Sequence, residues 1–81
     1  MKVHVEFFSS LRPLAGLNKL AVEVSDGTSV AALLDELYAR FPRMREVDRS
    51  LLVAIGVEFA RRDAVLRDGD AVALMPPVQG G

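Results

Sequence analysis

Few side chains in this sequence could do chemistry. There is no cysteine and only one histidine, His4. Disulfide staples, zinc fingers, thiolate metal sites and a cysteine nucleophile are therefore excluded. One imidazole cannot build a metal cluster, and His4 shares a strand-like face with Lys2 and Glu6, the setting of an ordinary solvated histidine. Asp35 and Glu36 are neighbours on a helical pattern and do not face each other, so they form no acid–base pair. Asp63, Asp68 and Asp70 are scattered around a turn without the spacing of a calcium loop. No glycine-rich phosphate loop with a following lysine is present. What remains is the final pair, Gly80-Gly81.

That pair has a chemical logic of its own. From Ala71 to Gly81 the sequence carries no charged side chain. Pro76-Pro77 stiffens the start of the segment, and six extended residues reach at most about 20 Å beyond the preceding strand. Glycine has maximal backbone entropy, so the tip is expected to be loose, and without side chains it can thread a narrow slot. Frayed ends also carry glycine, but they are usually polar and lack a stiff lead. An α-carboxylate on Gly81 is a poor electrophile and needs activation. Attack on the α-phosphate of ATP gives an acyl-adenylate, whose acyl group passes to sulfide as a thiocarboxylate or to an amine as an amide. Nothing in the chain could perform the activation, so the expected role is a carried substrate of a separate adenylating enzyme.

The elements that must position this tail are legible in the apolar pattern. The chain has 81 residues, 51% hydrophobic and 26% charged, with a formal net charge of -1. That is one folded domain with no electrostatic bias toward nucleic acid or a membrane surface. No apolar run approaches the ~20 residues of a membrane span, and the opening lacks the pattern of a secretory leader; a soluble cytoplasmic protein is expected. Lys2 to Phe7 alternates, with Val3, Val5 and Phe7 on one face. Phe8 then points away from the core. Ser9 to Gly16 fits a short helical turn around Pro13, closed by glycine. Leu20, Val22 and Val24 mark a second strand, ended by the Asp26-Gly27 turn.

Thr28 or Ser29 can cap a helix, in which Val30, Leu33, Leu34, Leu37, Tyr38 and Phe41 form one apolar stripe until Pro42 stops it. A charged connector, 43–50, leads to an apolar run from Leu51 to Ile55 that reads as a central strand. Gly56 permits a turn and 57–60 a short strand. After the turn at 67–70, Val72 and Leu74 point inward from a last strand, with Ala71, Ala73 and Met75 outside. Pro76-Pro77 ends the sheet. Strand, strand, helix, strand, short strand, strand is the economy of an α+β, ubiquitin-like β-grasp fold: a mixed sheet against one main helix. The domain is expected over 1–75 and the extended tail over 76–81. Strand order is not readable from the pattern.

Val5-Glu6-Phe7-Phe8, Leu11-Arg12, the Leu66…Asp68-Gly69-Asp70 turn and above all Pro76-Pro77-Val78-Gln79-Gly80-Gly81 resemble the small subunit of molybdopterin synthase, along essentially the whole chain. The resemblance implies a non-catalytic sulfur carrier in molybdenum cofactor biosynthesis. Gly81, preceded by Gly80, would be adenylated by a ubiquitin-activating-like adenylyltransferase, with ATP consumed there and no cofactor stably held by the carrier. A sulfur donor such as a cysteine desulfurase or rhodanese-like protein would complete the thiocarboxylate. The large catalytic subunit, in a heterotetramer of two small and two large subunits, would use it to convert precursor Z (cyclic pyranopterin monophosphate) to molybdopterin. No nucleic acid or membrane partner is implied.

The family's contact patch maps onto Phe8, Arg12, Phe59 and Met75, leading into Pro76, Pro77, Val78 and Gln79. Phe8 and Met75 are outward by strand parity alone. The competing expectation puts Phe59 in the core and Phe8 under the Pro13 turn. Two departures stand out: Gly56 where relatives often have asparagine, and Ala71 where they often have glutamate. Other fates of the same chemistry remain open: a carrier for thiamine thiazole or cysteine formation, a ubiquitin-like modifier joined through Gly81 to lysines, or an adaptor whose tail has no covalent role.

Overall fold

The computed structural model describes residues 1–77. Strand β1 (Lys2–Phe7) is followed by a 3-10 turn (Ser9–Leu11) and a single helical turn, α1 (Arg12–Ala15). Then come β2 (Lys19–Glu23), helix α2 (Val30–Arg40), a 3-10 segment (Pro42–Ser50), β3 (Leu52–Ile55), β4 (Glu58–Phe59) and β5 (Ala71–Met75). The five strands form one mixed sheet in the order β2-β1-β5-β3-β4. β1 and β5 run parallel, and the other pairs are antiparallel. This is the β-grasp arrangement expected from the pattern.

One face of the sheet carries the core. Val3, Val5 and Phe7 of β1, Val22 of β2, Val53 of β3, and Val72 and Leu74 of β5 are buried, as are Val30, Leu33, Leu34, Leu37 and Tyr38 of α2. α2 forms because its apolar residues fall on one side at helical spacing and its entry is capped. The Ser29 side chain accepts the Ala32 N–H at 3.1 Å, so of the two candidate caps Ser29 is the one used. Thr28 instead donates its hydroxyl to the Ser25 carbonyl. α1 ends where expected, at Gly16 with φ of 78°, a left-handed position suited to glycine.

Two expectations change. The Leu51–Ile55 run is not the central strand. β5 is central, and β3 lies one place in from the edge, flanked outside only by the two residues of β4. β3 reads as central because it is apolar on both faces, a pattern usually produced by burial on both sides. The connector 43–50 is not merely a solvated link. It coils as a 3-10 segment whose Met44 is fully buried against the core, with Val47 half-buried. Its many charges mask one apolar anchor per turn.

Candidate functional site

The site is the root of the tail and the sheet face beside it. β5 delivers the chain to Pro76 from the middle of the sheet, held by β1 on one side and β3 on the other. The Phe8 N–H donates to the Leu74 carbonyl at 3.0 Å, so the clamp continues to the last turn before the prolines. Pro76 is half-buried and Pro77 exposed. Pro76 lacks an N–H, which ends the ladder without leaving a donor unmet. A groove of about 450 Å³ opens here, walled by Ser9, Leu11, Val47 and Leu51 beside both prolines. Val78, Gln79, Gly80 and Gly81 lie outside the described residues.

Cross-strand register places the expected patch on one face. Phe8 has extended backbone, φ -108° and ψ 147°. One further step of the β1–β5 register therefore sets it beside Met75, which pairs with Leu52 across β5–β3. The adjoining row runs Glu6, Ala73, Ala54, Phe59. Both rows lie on the side of the sheet opposite α2, because the intervening row, Phe7, Leu74 and Val53, points into the core. Phe8, Met75 and Leu52 are half-buried, and Phe59 is 74% exposed. Phe59 is therefore not a core residue, and Phe8 belongs to the open face. A shallow depression of about 470 Å³ continues the surface past Phe8, over His4, Ala71 and Ala73.

Arg12 is exposed and fixed in place. Its Nε donates to the Phe7 carbonyl at 3.1 Å, across the turn that leaves the sheet. Ser9 makes that turn with φ of 54°, the one non-glycine residue in the left-handed region among those described. Such a conformation costs about 1 kcal/mol or more outside glycine, and it sends the chain off the sheet directly after Phe8. Phe8, Met75 and Phe59 thus share one apolar face, with Arg12 at its border next to β1. An apolar centre with an arginine at the margin is the composition of a protein-binding surface.

Leu52 and Ala54 belong to the same face and were not singled out by sequence. β3 is apolar on every residue, so alternation gives it no inward or outward parity. The missed signal is that a two-sided apolar strand beside a two-residue edge strand needs a cover for its outer face. Of the two departures, Gly56 is conservative in geometry. Its φ of 63° lies in the region asparagine also tolerates. Ala71 is exposed beside His4, so a carboxylate there would lie on the open face.

Known proteins resemble this chain along its whole length. The molybdopterin synthase sulfur carrier subunit of Mycobacterium tuberculosis is 37% identical over 82 residues, covering 100% of this chain and 99% of its own. The subunit of the same name from Chlamydomonas reinhardtii is 34% identical over 83 residues, covering both chains in full. Among solved structures, SAMP1 from Haloferax volcanii superposes with a TM-score of 0.87 at 28% identity, covering both chains in full. The model of the ThiS family matches residues 5–81, a span that takes in the central strand, the apolar face and the Gly-Gly tail alike, and the chain belongs to that family.

Proposed function

We propose that this protein is the sulfur carrier subunit of a molybdopterin synthase. Gly81 is the reacting residue, with Gly80 giving it unhindered access to narrow sites. A ubiquitin-activating-like adenylyltransferase joins the Gly81 carboxylate to AMP and releases pyrophosphate. The terminal sulfur of a persulfide on a desulfurase or rhodanese-like donor then displaces AMP, and a thiol reduces the resulting acyl disulfide, releasing the thiocarboxylate and leaving a disulfide on the donor. The tail enters the large subunit, where that sulfur is transferred to precursor Z. ATP is held by the activating enzyme and not by this chain. The work takes place in the cytoplasm; among the described residues no helix is long and apolar enough to cross a membrane.

The observation that carries this reading is the placement of the root of the tail, Pro76-Pro77. It leaves the central strand at the edge of the Phe8–Met75–Leu52 row, so a partner seated on that face has the tail within reach. The tip can then act in a partner's active site while the folded domain stays docked outside. The family match through residue 81 and the names of the relatives support the same assignment.

Reconstitution tests it. The chain, loaded with sulfur by an activating enzyme and mixed with a molybdopterin synthase large subunit and precursor Z, is expected to yield molybdopterin. Loading without turnover, together with transfer to a thiazole-forming or cysteine-forming system, would assign a different sulfur pathway. Appearance of Gly81 isopeptides on lysines would instead favour a modifier, as in the name of the H. volcanii small archaeal modifier protein 1, which is 25% identical to this chain.

A further inference from the structure

The sheet has two edges of unequal character. β4 closes one with only two residues, whereas β2 leaves five residues open on the other. The hydrogen bonds to β1 define which groups of β2 are free to pair. Met1 and Val24 exchange main-chain bonds at 2.9 Å in both directions, and the Phe7 N–H donates to the Asn18 carbonyl at 2.8 Å. Even-numbered residues of β2 therefore aim their backbone groups at β1. The N–H and C=O of Lys19, Ala21 and Glu23 point out of the sheet. An open edge of this length is a template for another strand.

We infer that the β2 edge is a self-recognition surface, at which a second copy of this chain pairs antiparallel about a two-fold axis through Ala21. Only outward-facing residues can hydrogen-bond across such an axis, so the register moves in steps that keep Lys19, Ala21 and Glu23 opposite one another. Centring on Ala21 uses all three, with about six main-chain hydrogen bonds from three facing pairs. That same register sets Lys19 opposite Glu23 of the second copy, at both ends.

The charges beyond the edge extend the match. Within one copy Glu6 lies beside Lys19 and Lys2 beside Glu23 on the outer face. Across the dimer each end then reads Glu6, Lys19, Glu23 of the second copy and Lys2 of the second copy, alternating in sign across four strands. Sliding the register by one permitted step pairs Ala21 with Lys19 or Glu23 and loses the charge match. Opposite charges directly across a strand pair stabilise it and like charges destabilise it. β2 has neither the proline nor the bulge that protects other edge strands, and its two charges, Lys19 and Glu23, meet opposite charges in this register. Phe8 lies one strand in from this edge, with Met75, Phe59 and the root of the tail farther in, and pairing in the plane of the sheet uses backbone groups and leaves their face open. The inference is independent of the sulfur-carrier assignment.

The test is sedimentation equilibrium of the full chain from about 10 µM to about 1 mM, with amide exchange measured at both limits. A concentration-dependent dimer is expected, with the Lys19, Ala21 and Glu23 amides gaining protection in the dimer. The Leu20 and Val22 amides, bonded within the monomer, stay protected throughout and report that each variant is folded. Lys19→Glu and Glu23→Lys should each weaken dimerisation by about tenfold or more. The double swap K19E/E23K restores opposite charges across the new edge, though not beside Glu6 and Lys2 within each copy, and should recover part of the lost affinity. Phe59→Asp, on the opposite edge strand, should leave the dimer intact. A monomer across the whole range overturns the proposal. So does a dimer that ignores both charge reversals, or one that Phe59→Asp dissolves, since either places the contact on another surface.

Discussion

Phe7 and Phe8 show how two adjacent residues divide between the core and the open face of the sheet. Phe7 is fully buried and meets Phe41 edge-to-face with ring centroids 5.8 Å apart, whereas Phe8, one step on, turns to the opposite face. Phe8→Asp is expected to weaken binding to the large subunit by about 2 kcal/mol, measured by calorimetry, as for an aromatic anchor at an interface. Its melting temperature should move little, because a half-buried side chain on the open face leaves the core intact. A large loss of stability with unchanged binding would return Phe8 to a structural role. Deleting Gly81 leaves the terminal carboxylate on Gly80, one residue short of the proposed reacting position. Sulfur transfer should vanish while the thermal transition is preserved, and a collapsed melt would mean that the tail supports the fold. Arg12 and Phe59 were legible in advance only through the family pattern. Strand parity alone reached Phe8 and Met75, and register was needed to bring Phe59 beside them.

The connector after α2 is the element whose energetics composition hides. Tyr38 of α2 donates its hydroxyl to Asp48 Oδ1, and Arg62 meets the same oxygen at 2.9 Å. Arg62 also bonds the carbonyls of Asp48 at 2.8 Å and Leu51 at 3.3 Å, tying the 3-10 segment to the approach to β3. The Tyr38 hydroxyl bond, then the Arg62 bond, hold the Asp48 carboxyl below its ordinary value of 3.8. Burial, with the Asp48 carboxylate beside it, pushes the Tyr38 phenol well above its ordinary range and keeps it a donor. For a depressed carboxyl the stabilisation is complete above the unfolded value and lost as pH falls through the lower folded one. Acidification below about pH 4 should therefore lower the melting temperature, and Asp48→Asn should be less stable at neutral pH with a shallower acid slope. An unchanged slope in calorimetric melts would show that the network carries no linkage. At the head of α2, Ser29→Ala should cost about 1 kcal/mol in a denaturant titration. The helix itself was readable because stripe, cap and proline stop agreed. The connector was not, since Met44 and Val47 are isolated among charges and Arg62 acts through contacts distant in sequence.

At the scale of the molecule, most of the architecture followed from periodicity, and the order of the strands did not. Alternation specifies which face of β1 and β5 is buried, but pairing is a long-range choice that local pattern leaves open. The central position of β5 follows from the parallel β1–β5 pair, and it makes the strand bearing the tail the one held on both sides. A secure root beside an apolar docking face is what a carrier needs if only its tip is to enter another protein. The central claim is that Gly81 carries sulfur, and intact mass measurement tests it most directly. Incubation with ATP, a cognate activating enzyme and a sulfur donor is predicted to make the chain heavier by the difference between a sulfur and an oxygen atom, on the fragment that contains Gly81. An unchanged mass, with an activating enzyme competent on a known carrier, would contradict the account.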